Sequence, residues 1–299
     1  MATTVFHIEG GIGKNVAATA VTAAYKKSNP KRKIIVVSAW PEVWVKNKDV
    51  ARFYRIGNTP YFYQDVIKGK DVKVFAQDPY KQTSHITKKS HLIKTWCDMI
   101  GTKYSGEKPV LNFNFREIEE GRAYMSQFAN GQNQKPLLAF QPFGGPGPDH
   151  QQHPYSWTRD MHPSQAQEVV DGLAEKYNIV HICYEFHPRL NNCYRFDKTI
   201  GKKPLFAMIA HAEKRLFIDS SLQHAAVPLQ LPSVVVWVNT QPKVFGYEMH
   251  TNIVPKVARD EGTVDSYLYD YDFQGVIHQC PYDSVDELHD VQAIIKAVG

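Results

Sequence analysis

Short apolar runs alternate with amphipathic stretches along the whole chain. An apolar run at 5–8, a glycine loop at 9–13, an alanine-rich stretch at 15–25 and an apolar run at 33–38 open it. These patterns predict a strand, a tight loop, a helix and a second strand. Because the connections are short, this order predicts a parallel, right-handed β-α-β unit.

The alternation continues to the end of the sequence. Further strands are predicted at 74–75, 137–140, 179–183, 216–218 and 233–238, and helices at 91–100, 117–128, 164–177 and 284–298. Two of the helices follow capping-box signatures, Ser164-x-x-Gln167 and Ser284-x-x-Glu287. The polar, turn-forming segment 130–136 is the clearest linker and places a boundary between residues 133 and 134. The pattern predicts an α/β chain in two halves, 1–133 and 134–299.

Composition assigns the chain to ordinary globular proteins. Its 299 residues are 43% hydrophobic and 22% charged. No apolar run approaches the roughly 18 residues that a membrane span needs, so no span is predicted. The N-terminus lacks the basic segment of a signal peptide. The four cysteines form no Cys-x-x-Cys pair, which favours a reduced compartment. We therefore expect a cytoplasmic protein.

The net charge of +5 adds a preference for anions. Part of it is concentrated at 68–70, 88–89 and 202–203. One interpretation is a solvated face that attracts the phosphates of a ligand. Another is a basic groove for nucleic acid, in which some of the aromatic residues (12% of the chain) stack on bases rather than pack in the core. Composition leaves both open.

The most informative segment lies at 216–226. A buried strand at 216–218 stops at Asp219, and Ser220, Ser221 and a helical turn with His224 follow. A helix N-terminus of this kind binds phosphate oxygens through its unpaired N–H groups and its dipole. His224 lies three residues after Ser221 and can face the same ligand. With the next strand at 233–238, the segment forms half of a nucleotide-binding unit.

This segment resembles the donor-binding region of heptosyltransferase-like glycosyltransferases of family nine. The resemblance covers Asp219-Ser220-Ser221-Leu222-x-His224-x-Ala226, the strand after it, 239–242 and 245–247. It departs from the family at Ser221, which replaces a glycine, at Pro228 and at 239–241. Segments 91–101 and 157–161 extend the resemblance in the same order. It implies a GT-B fold, in which an N-terminal Rossmann-like acceptor domain faces a C-terminal nucleotide-sugar donor domain across a cleft.

The resemblance also implies an activity. A family member transfers a sugar from a nucleotide-diphosphate donor to a hydroxyl acceptor, with inversion, without a metal and without a cofactor. Thirteen histidines without paired spacing and the Asp-x-Asp string at 270–272, interpreted as a loop, add no predicted metal site. Segments 41–63 and 90–97 resemble heptosyltransferase-like proteins encoded by marine bacteriophages. A hydroxylated base in phage DNA is therefore an expected acceptor beside a lipopolysaccharide-type glycan.

The first glycine loop is assigned to the acceptor side by this resemblance. Gly10, Gly11 and Gly13 occupy the family's Gly-x-Gly-Asp turn, whose acid is a candidate base, but Lys14 replaces that acid. Lys14 either neutralises the leaving diphosphate or is a structural charge at a helix start. Glu9 is the substitute base that we predict, with capping of the helix as the alternative.

The donor side is assigned in the same way. The resemblance implies that the diphosphate is bound by Asp219, Ser220, Ser221, Leu222 and His224. It implies further contacts to the donor from Gly144, Gly145, Arg159 and Glu185, the last to ribose hydroxyls. The alternatives are structural: a capped strand-to-helix turn, a core histidine, a plain glycine turn and a surface arginine.

Two other functions compete with this one. The stretch 10–14 also resembles the Gly-Gly-x-Gly-Lys-[Ser/Thr] phosphate loop of partition-type ATPases. Asn15 stands where those proteins need a hydroxyl for Mg²⁺, and Glu9 replaces their preceding lysine. A non-catalytic protein that binds sugar nucleotides is the third possibility.

Overall fold

The structure, a computed structural model, describes residues 2–129, 135–144, 157–259 and 282–299. Three features predicted above lie outside the described residues: the boundary between 133 and 134, Gly145 and the acidic string at 270–272. The described residues form two parallel β-sheets with helices packed against them. This confirms the α/β class that the alternating pattern predicted.

The first sheet belongs to the N-terminal half. Its strands are β1 (Thr3–Ile8), β2 (Lys33–Ser38), β3 (Arg52–Arg55) and β4 (Val72–Phe75), in the order β3-β2-β1-β4. All neighbouring strands are parallel. The two central strands are almost fully buried, as the continuous apolar runs predicted. The edge strand β3 is mostly exposed and has no such run, and the sequence pattern did not reveal it.

The second sheet is larger and also parallel. It consists of β5 (Leu137–Gln141), β6 (Asn178–Ile182), β7 (Tyr194–Phe196), β8 (Lys214–Ile218), β9 (Val234–Val236) and β10 (Thr251–Ile253). Their order in space is β10-β9-β8-β5-β6-β7. The edge strands β7 and β10 are three residues long, too short to give a periodic signal.

Helices connect the strands and cover the sheets. They are α1 (Ile12–Ser28), α2 (Thr83–Ile86), α3 (Leu92–Met99), α4 (Phe115–Ser126), α5 (Pro163–Leu173), α6 (Lys202–Met208), α7 (Ser221–Ala226), α8 (Pro242–Phe245) and α9 (Val291–Val298). Asn114 and Glu117 form a capping box at the start of α4.

Both capping boxes predicted from the sequence are wrong. Helix α5 starts at Pro163, because His162 caps it and proline fits the first helical position. The last helix starts only at Val291, where Asp290 accepts hydrogen bonds from two backbone N–H groups. Ser284 precedes a single short turn instead and makes no side-chain cap bond.

One hydrophobic cluster joins the two halves of the chain. It contains Val16 and Ala17 of α1 together with Leu222 and Ala225 of α7, and the two helices are in contact. A second cluster lies under α5 and α9 on the second sheet. This packing sets the glycine loop before α1 close to the turn before α7.

Candidate functional site

A cavity of about 460 Å³ lies where the carboxyl ends of the strands meet. Its lining comes from residues that follow β1, β2, β4, β5, β6, β7, β8 and β9, so both halves of the chain contribute. Parallel α/β sheets bind ligands at this end of their strands. Eight of the residues that the sequence predicted line it: Gly11, Gly13, Lys14, Arg159, Asp219, Ser220, Ser221 and His224.

The glycine loop forms one wall of this cavity. A Cβ atom on Gly13 would lie 2.8 Å from Cδ2 of His224, which is closer than real contacts allow. Only glycine therefore lets the start of α1 approach α7. Asn15 is fully buried, donates to the Gly11 carbonyl (3.1 Å) and accepts from the Ser38 hydroxyl. Phosphate-loop ATPases have at this position a Ser or Thr hydroxyl that binds Mg²⁺. In this protein the position is occupied by the Asn15 amide, which stabilises the loop through these two hydrogen bonds.

Lys14 is held in place by an acid that the sequence analysis did not identify. Its side chain is 5% exposed, and its Nζ lies 2.6 Å from Oδ2 of Asp78. The other carboxylate oxygen of Asp78 accepts from the backbone N–H of Tyr80 (2.9 Å). The ammonium group of Lys14 also lies 4.5 Å from the centre of the Tyr80 ring. The cation is therefore fixed at the wall of the cavity, beside a carboxylate.

The turn after β8 forms the opposite wall. Ser220 caps α7, because its Oγ accepts from the Leu222 N–H (3.2 Å) and donates to the side chain of Gln141. Leu222 is fully buried, and its N–H is used by this cap. The cap therefore occupies one donor that the sequence analysis assigned to phosphate.

Asp219 stands at the end of β8 with its side chain 12% exposed. Burial raises its pKa to about 6, against the opposing effects of the nearby Arg159 charge and of the polar side chains of Thr240 and Gln223. A carboxyl group with such a pKa changes protonation close to neutral pH. Asp219 is thus able to accept or release a proton in the cavity.

His224 is neutral at physiological pH. Burial lowers its pKa to about 3, and the neighbouring His91 and His250 act in the same direction. Its Nδ1 shares a 2.8 Å hydrogen bond with the Tyr247 hydroxyl, and its Nε2 lies 4.0 Å from Oδ1 of Asp219. The tyrosine fixes the orientation of the ring, whose Nε2 side faces the Asp219 turn.

Arg159 supplies a second cation on this wall. A Cβ atom on Gly144 would lie 2.7 Å from Nε of Arg159, so the guanidinium packs on bare backbone there. The backbone N–H of Gly144 donates to Oδ1 of Asp160 (2.8 Å), which fixes the loop after β5. Gly144 itself does not line the cavity but makes room for the arginine.

The remaining wall combines apolar and basic residues after β6 and β7. Lys198 and Lys202 line it together with Tyr184, Asp197 and apolar side chains. The ammonium group of Lys202 lies 3.4 Å from the Tyr184 hydroxyl. Asp197 is paired with Arg195 (2.8 Å), which lowers the pKa of its carboxyl group. This wall therefore presents both charged groups and an aromatic ring to the cavity.

The structure does not bring every predicted residue into the cavity. Glu9 is 71% exposed and lies 3.8 Å from His7, and Gly10 has a positive φ in the same loop. Glu185 is exposed beyond Tyr184, and neither acid is a lining residue. The lining residues Trp40, Gln141, Thr158 and Tyr184, among others, were not predicted from the sequence. Their position within a few residues of a strand's carboxyl end was the available signal.

No group of three or more His, Cys, Asp or Glu side chains that could hold a metal ion occurs in the described ranges. Within those same ranges, every helix is too short or too polar to cross a membrane.

Similar proteins were found by structure. No protein-family model matches the chain, and no curated protein matches it either. A glycosyl transferase family 9 structure from Veillonella parvula DSM 2008 matches with a TM-score of 0.65 and 14% identity, over 99% of this chain and 95% of that one. E. coli ADP-heptose lps heptosyltransferase II matches at 0.59 and 13%, over 99% of both chains. E. coli heptosyltransferase WaaC with ADP matches at 0.52 and 10%, over 84% and 92%.

The chain shares its fold with these three glycosyltransferase structures. The match extends over nearly the full length of the first two structures, so it includes both parallel sheets. This confirms the α/β architecture that the resemblance implied. At identities of 14% and below, the shared feature is the fold itself.

Proposed function

We propose that this protein is a glycosyltransferase that moves a sugar from a nucleotide-diphosphate donor to a hydroxyl acceptor. The observation that carries the proposal is the cavity at the carboxyl ends of both sheets, whose lining includes Lys14, Arg159 and Lys202 as well as the Asp219 turn. Cations and helix ends are what a departing diphosphate needs. The heptosyltransferase fold supports this function over the other two candidates.

We further propose that the cavity is the cleft of a GT-B enzyme. In this arrangement residues 1–133 bind the acceptor and residues 134–299 bind the nucleotide sugar. Lining residues from both halves support it. In the full chain, Ser221→Ala should weaken nucleotide binding and Trp40→Ala should leave it unchanged; the reverse pattern would argue against this division.

In the proposed reaction the acceptor oxygen attacks the anomeric carbon while the bond from that carbon to the diphosphate breaks. Arg159 and Lys14 face the diphosphate, with Ser221 and His224 beside it, and Asp219 holds the turn that positions them. These cations supply charge that a metal ion supplies in other transferases, so we propose an inverting transfer without metal or cofactor. Retention of configuration, or loss of activity in EDTA, would contradict this.

The test of the proposal is a thermal-shift panel of nucleoside diphosphates, and ADP comes first because heptosyltransferase WaaC was solved with ADP. A ligand present at about 100 times its Kd stabilises the folded state by about 2.7 kcal/mol. We therefore expect one nucleoside diphosphate to raise the melting temperature by about 5 °C or more without added metal.

The panel also contains the competing outcomes. A shift with ATP only when Mg²⁺ is present would overturn the proposal in favour of a phosphate-loop ATPase. Binding of a sugar nucleotide with no hydrolysis or transfer from any donor in the panel would indicate a non-catalytic sugar-nucleotide-binding protein.

The base that takes the acceptor proton is a separate question. The sequence predicted Glu9, which is 71% exposed, whereas Asp78 is 26% exposed and is paired with Lys14, a residue that lines the cavity. We expect Asp78→Asn to lower kcat about 10²- to 10⁴-fold and Glu9→Gln to lower it less than about tenfold. Nucleotide binding by thermal shift should stay unchanged in Glu9→Gln, whereas Asp78→Asn also removes the partner of Lys14 and is expected to change it. A larger loss of kcat in Glu9→Gln than in Asp78→Asn would assign the role of the base to Glu9.

Two acceptors remain proposed, a lipopolysaccharide-type glycan and a hydroxylated base in phage DNA. The second rests on the resemblance to bacteriophage proteins and on the basic charge. Radiolabel transfer from the donor to hydroxymethylated DNA or to a deacylated lipopolysaccharide core would decide between them. A cytoplasmic location stays a prediction, which fractionation of the producing cell would test.

A further inference from the structure

Two tyrosines project from the connection between β3 and β4. Tyr61 is 75% exposed and Tyr63 is 61% exposed. Phe62 between them turns inward and packs on Tyr54, with ring centres 5.3 Å apart. Val66 of the same connection is buried in that small cluster. Phe62 and Val66 therefore anchor the connection to the sheet. Tyr61 and Tyr63, on either side of Phe62, point into solvent.

The backbone at Tyr61 is strained. Its φ is +56°, in the left-handed region that residues other than glycine rarely adopt. Pro60 precedes it, and the Tyr61 carbonyl accepts from the Asp65 N–H at 2.8 Å, which fixes the conformation. A glycine would relieve the strain but would remove the ring. A strained residue whose aromatic ring is exposed to water contributes little to the stability of the fold. We therefore infer that the ring has another role.

The same segment carries most of the excess positive charge. Residues 52–73 contain five basic and two acidic side chains, so their net charge is +3, against +5 for the whole chain. Both acids are paired: Asp65 lies 3.1 Å from Arg52, and Asp71 lies 3.7 Å from Arg32. The positive charge that remains after these pairs is carried by Arg55, Lys68, Lys70 and Lys73, all exposed.

The cations lie beside the rings. The backbone N–H of Lys68 donates to the Tyr63 carbonyl at 2.8 Å, and the Lys70 ammonium reaches the Asp65 carbonyl in the same turn. Arg55 ends β3, directly before the loop that carries Tyr61. We name Arg55, Tyr61, Tyr63, Lys68 and Lys70 the tyrosine face.

We propose that the tyrosine face binds single-stranded nucleic acid. The rings of Tyr61 and Tyr63 stack on unpaired bases, while Arg55, Lys68 and Lys70 contact the phosphates. Stacking needs exposed base faces, which a duplex does not offer. A neutral glycan can stack on tyrosine but gives these cations no partner. Aromatic rings and cations together therefore fit a strand that carries both bases and phosphates.

The position of the face relates it to the cavity. The loop with Tyr61 follows the carboxyl end of β3, and the glycine loop follows the carboxyl end of β1 in the same sheet. One strand, β2, separates them, which corresponds to about 10 Å at the usual spacing of strands. If the proposed transfer to DNA is right, a strand held on the tyrosine face can extend to the cavity. The binding itself does not depend on that activity.

The test is binding of a fluorescent oligothymidylate to the full chain, measured by anisotropy without any donor. We expect the double variant Tyr61→Ala/Tyr63→Ala to bind at least about tenfold more weakly, since each stacked base contributes about 1–3 kcal/mol. Lys68→Ala/Lys70→Ala should reduce the slope of log K against log salt by about 1.4, the value for two phosphate contacts. Phe115→Ala and Lys31→Ala/Lys103→Ala, which change exposed residues elsewhere, should bind as the wild type does.

Tyr61→Gly separates binding from folding. It should weaken binding as the alanine variant does, and its melting temperature should not fall, because glycine adopts the positive φ without strain. The proposal is overturned if the wild type shows no saturable binding, if duplex binds as tightly as single strand, or if loss of both tyrosines leaves affinity unchanged. Binding of heparin with the same dependence on the tyrosines would assign the face to anionic polysaccharide instead. A nucleoside-diphosphate shift with no oligonucleotide binding would leave the transferase proposal standing and reject this one.

Discussion

The free energy of unfolding is expected to be at least about 7 kcal/mol smaller at pH 5 than at pH 7.5. Burial lowers the pKa of His85 and His187 to about 4, and that of His181 and His224 to about 3. Because these values lie below the unfolded value of about 6.5, the unfolded chain takes up protons first as the pH falls. The stabilisation is present above pH 6.5 and is lost as the pH falls toward 4.

The magnitude follows from linkage. At pH 5 each of the four histidines costs about 2 kcal/mol of stability, or about 8 kcal/mol together. Asp219 acts in the opposite direction, since its folded pKa of about 6 is raised above the unfolded value. As the pH falls from 7.5 to 5, protonation of Asp219 increases the free energy of unfolding by about 1 kcal/mol. The net loss is comparable with the whole stability of a typical domain, about 5–15 kcal/mol.

Chemical denaturation at several pH values measures this loss directly. His181→Phe, in a buried site next to Phe140 and Phe143, should reduce the loss of stability between pH 7.5 and pH 5 by about 2 kcal/mol, whatever its effect on stability at pH 7.5. Phe6→Leu, at a buried position of the first sheet that carries no titratable group, is the control and should keep the full slope. Equal stabilities at pH 5 and 7.5 would show that these histidines are not buried in the neutral form.

Replacement of Arg159 by methionine is expected to abolish most of the proposed activity. A guanidinium that contacts a diphosphate through paired hydrogen bonds contributes about 1.5–3 kcal/mol, so nucleoside-diphosphate affinity should fall about 10- to 100-fold. Because charge on the diphosphate grows as the sugar departs, kcat should fall further, by about 10²- to 10³-fold. The structural reason is the position of Arg159, packed on Gly144 and close enough to Asp219 to lower its pKa.

The pH profile distinguishes this role from simple structural support. Loss of the Arg159 charge removes the group that opposes burial at Asp219, so its pKa should rise above about 6. Arg159→Lys keeps the charge without the planar fork, so it should recover part of the affinity. Arg122→Met, on the exposed face of α4, should behave as the wild type. A methionine variant that binds the nucleotide normally would remove Arg159 from the site.

Local sequence signals predicted the central part of the fold and the two small-residue turns that line the cavity. The apolar runs of β1, β2, β5, β6 and β8 are buried strands, as predicted, because a strand covered on both faces needs continuous apolar residues. The turn after β8 and the glycine loop before α1 were likewise visible. In both, small residues directly follow a buried strand and precede a helix.

Edge strands and helix starts required the structure. The edge strands β3, β7 and β10 have only three or four residues, and each pairs with a neighbouring strand on one side only. Such a strand is too short to show a periodic pattern of apolar residues, and it forms because it pairs with its neighbour. The start of α5 depended on a histidine cap and a proline. The capping-box signatures at Ser164 and Ser284 do not begin helices. His162 caps α5 and Asp290 caps α9 instead, because their side chains accept hydrogen bonds from the first backbone N–H groups of these helices.

The sequence by itself determined that the chain alternates strands and helices and that two small-residue turns follow buried strands. Only the tertiary structure decided which side chains meet. The packing of α1 on α7 brings Gly13 against His224, and the order of strands brings Asp78 to Lys14, 64 residues away in the chain. It also turns Glu9 and Glu185 to solvent. Side-chain direction at a loop depends on long-range packing, which no local pattern of residues encodes.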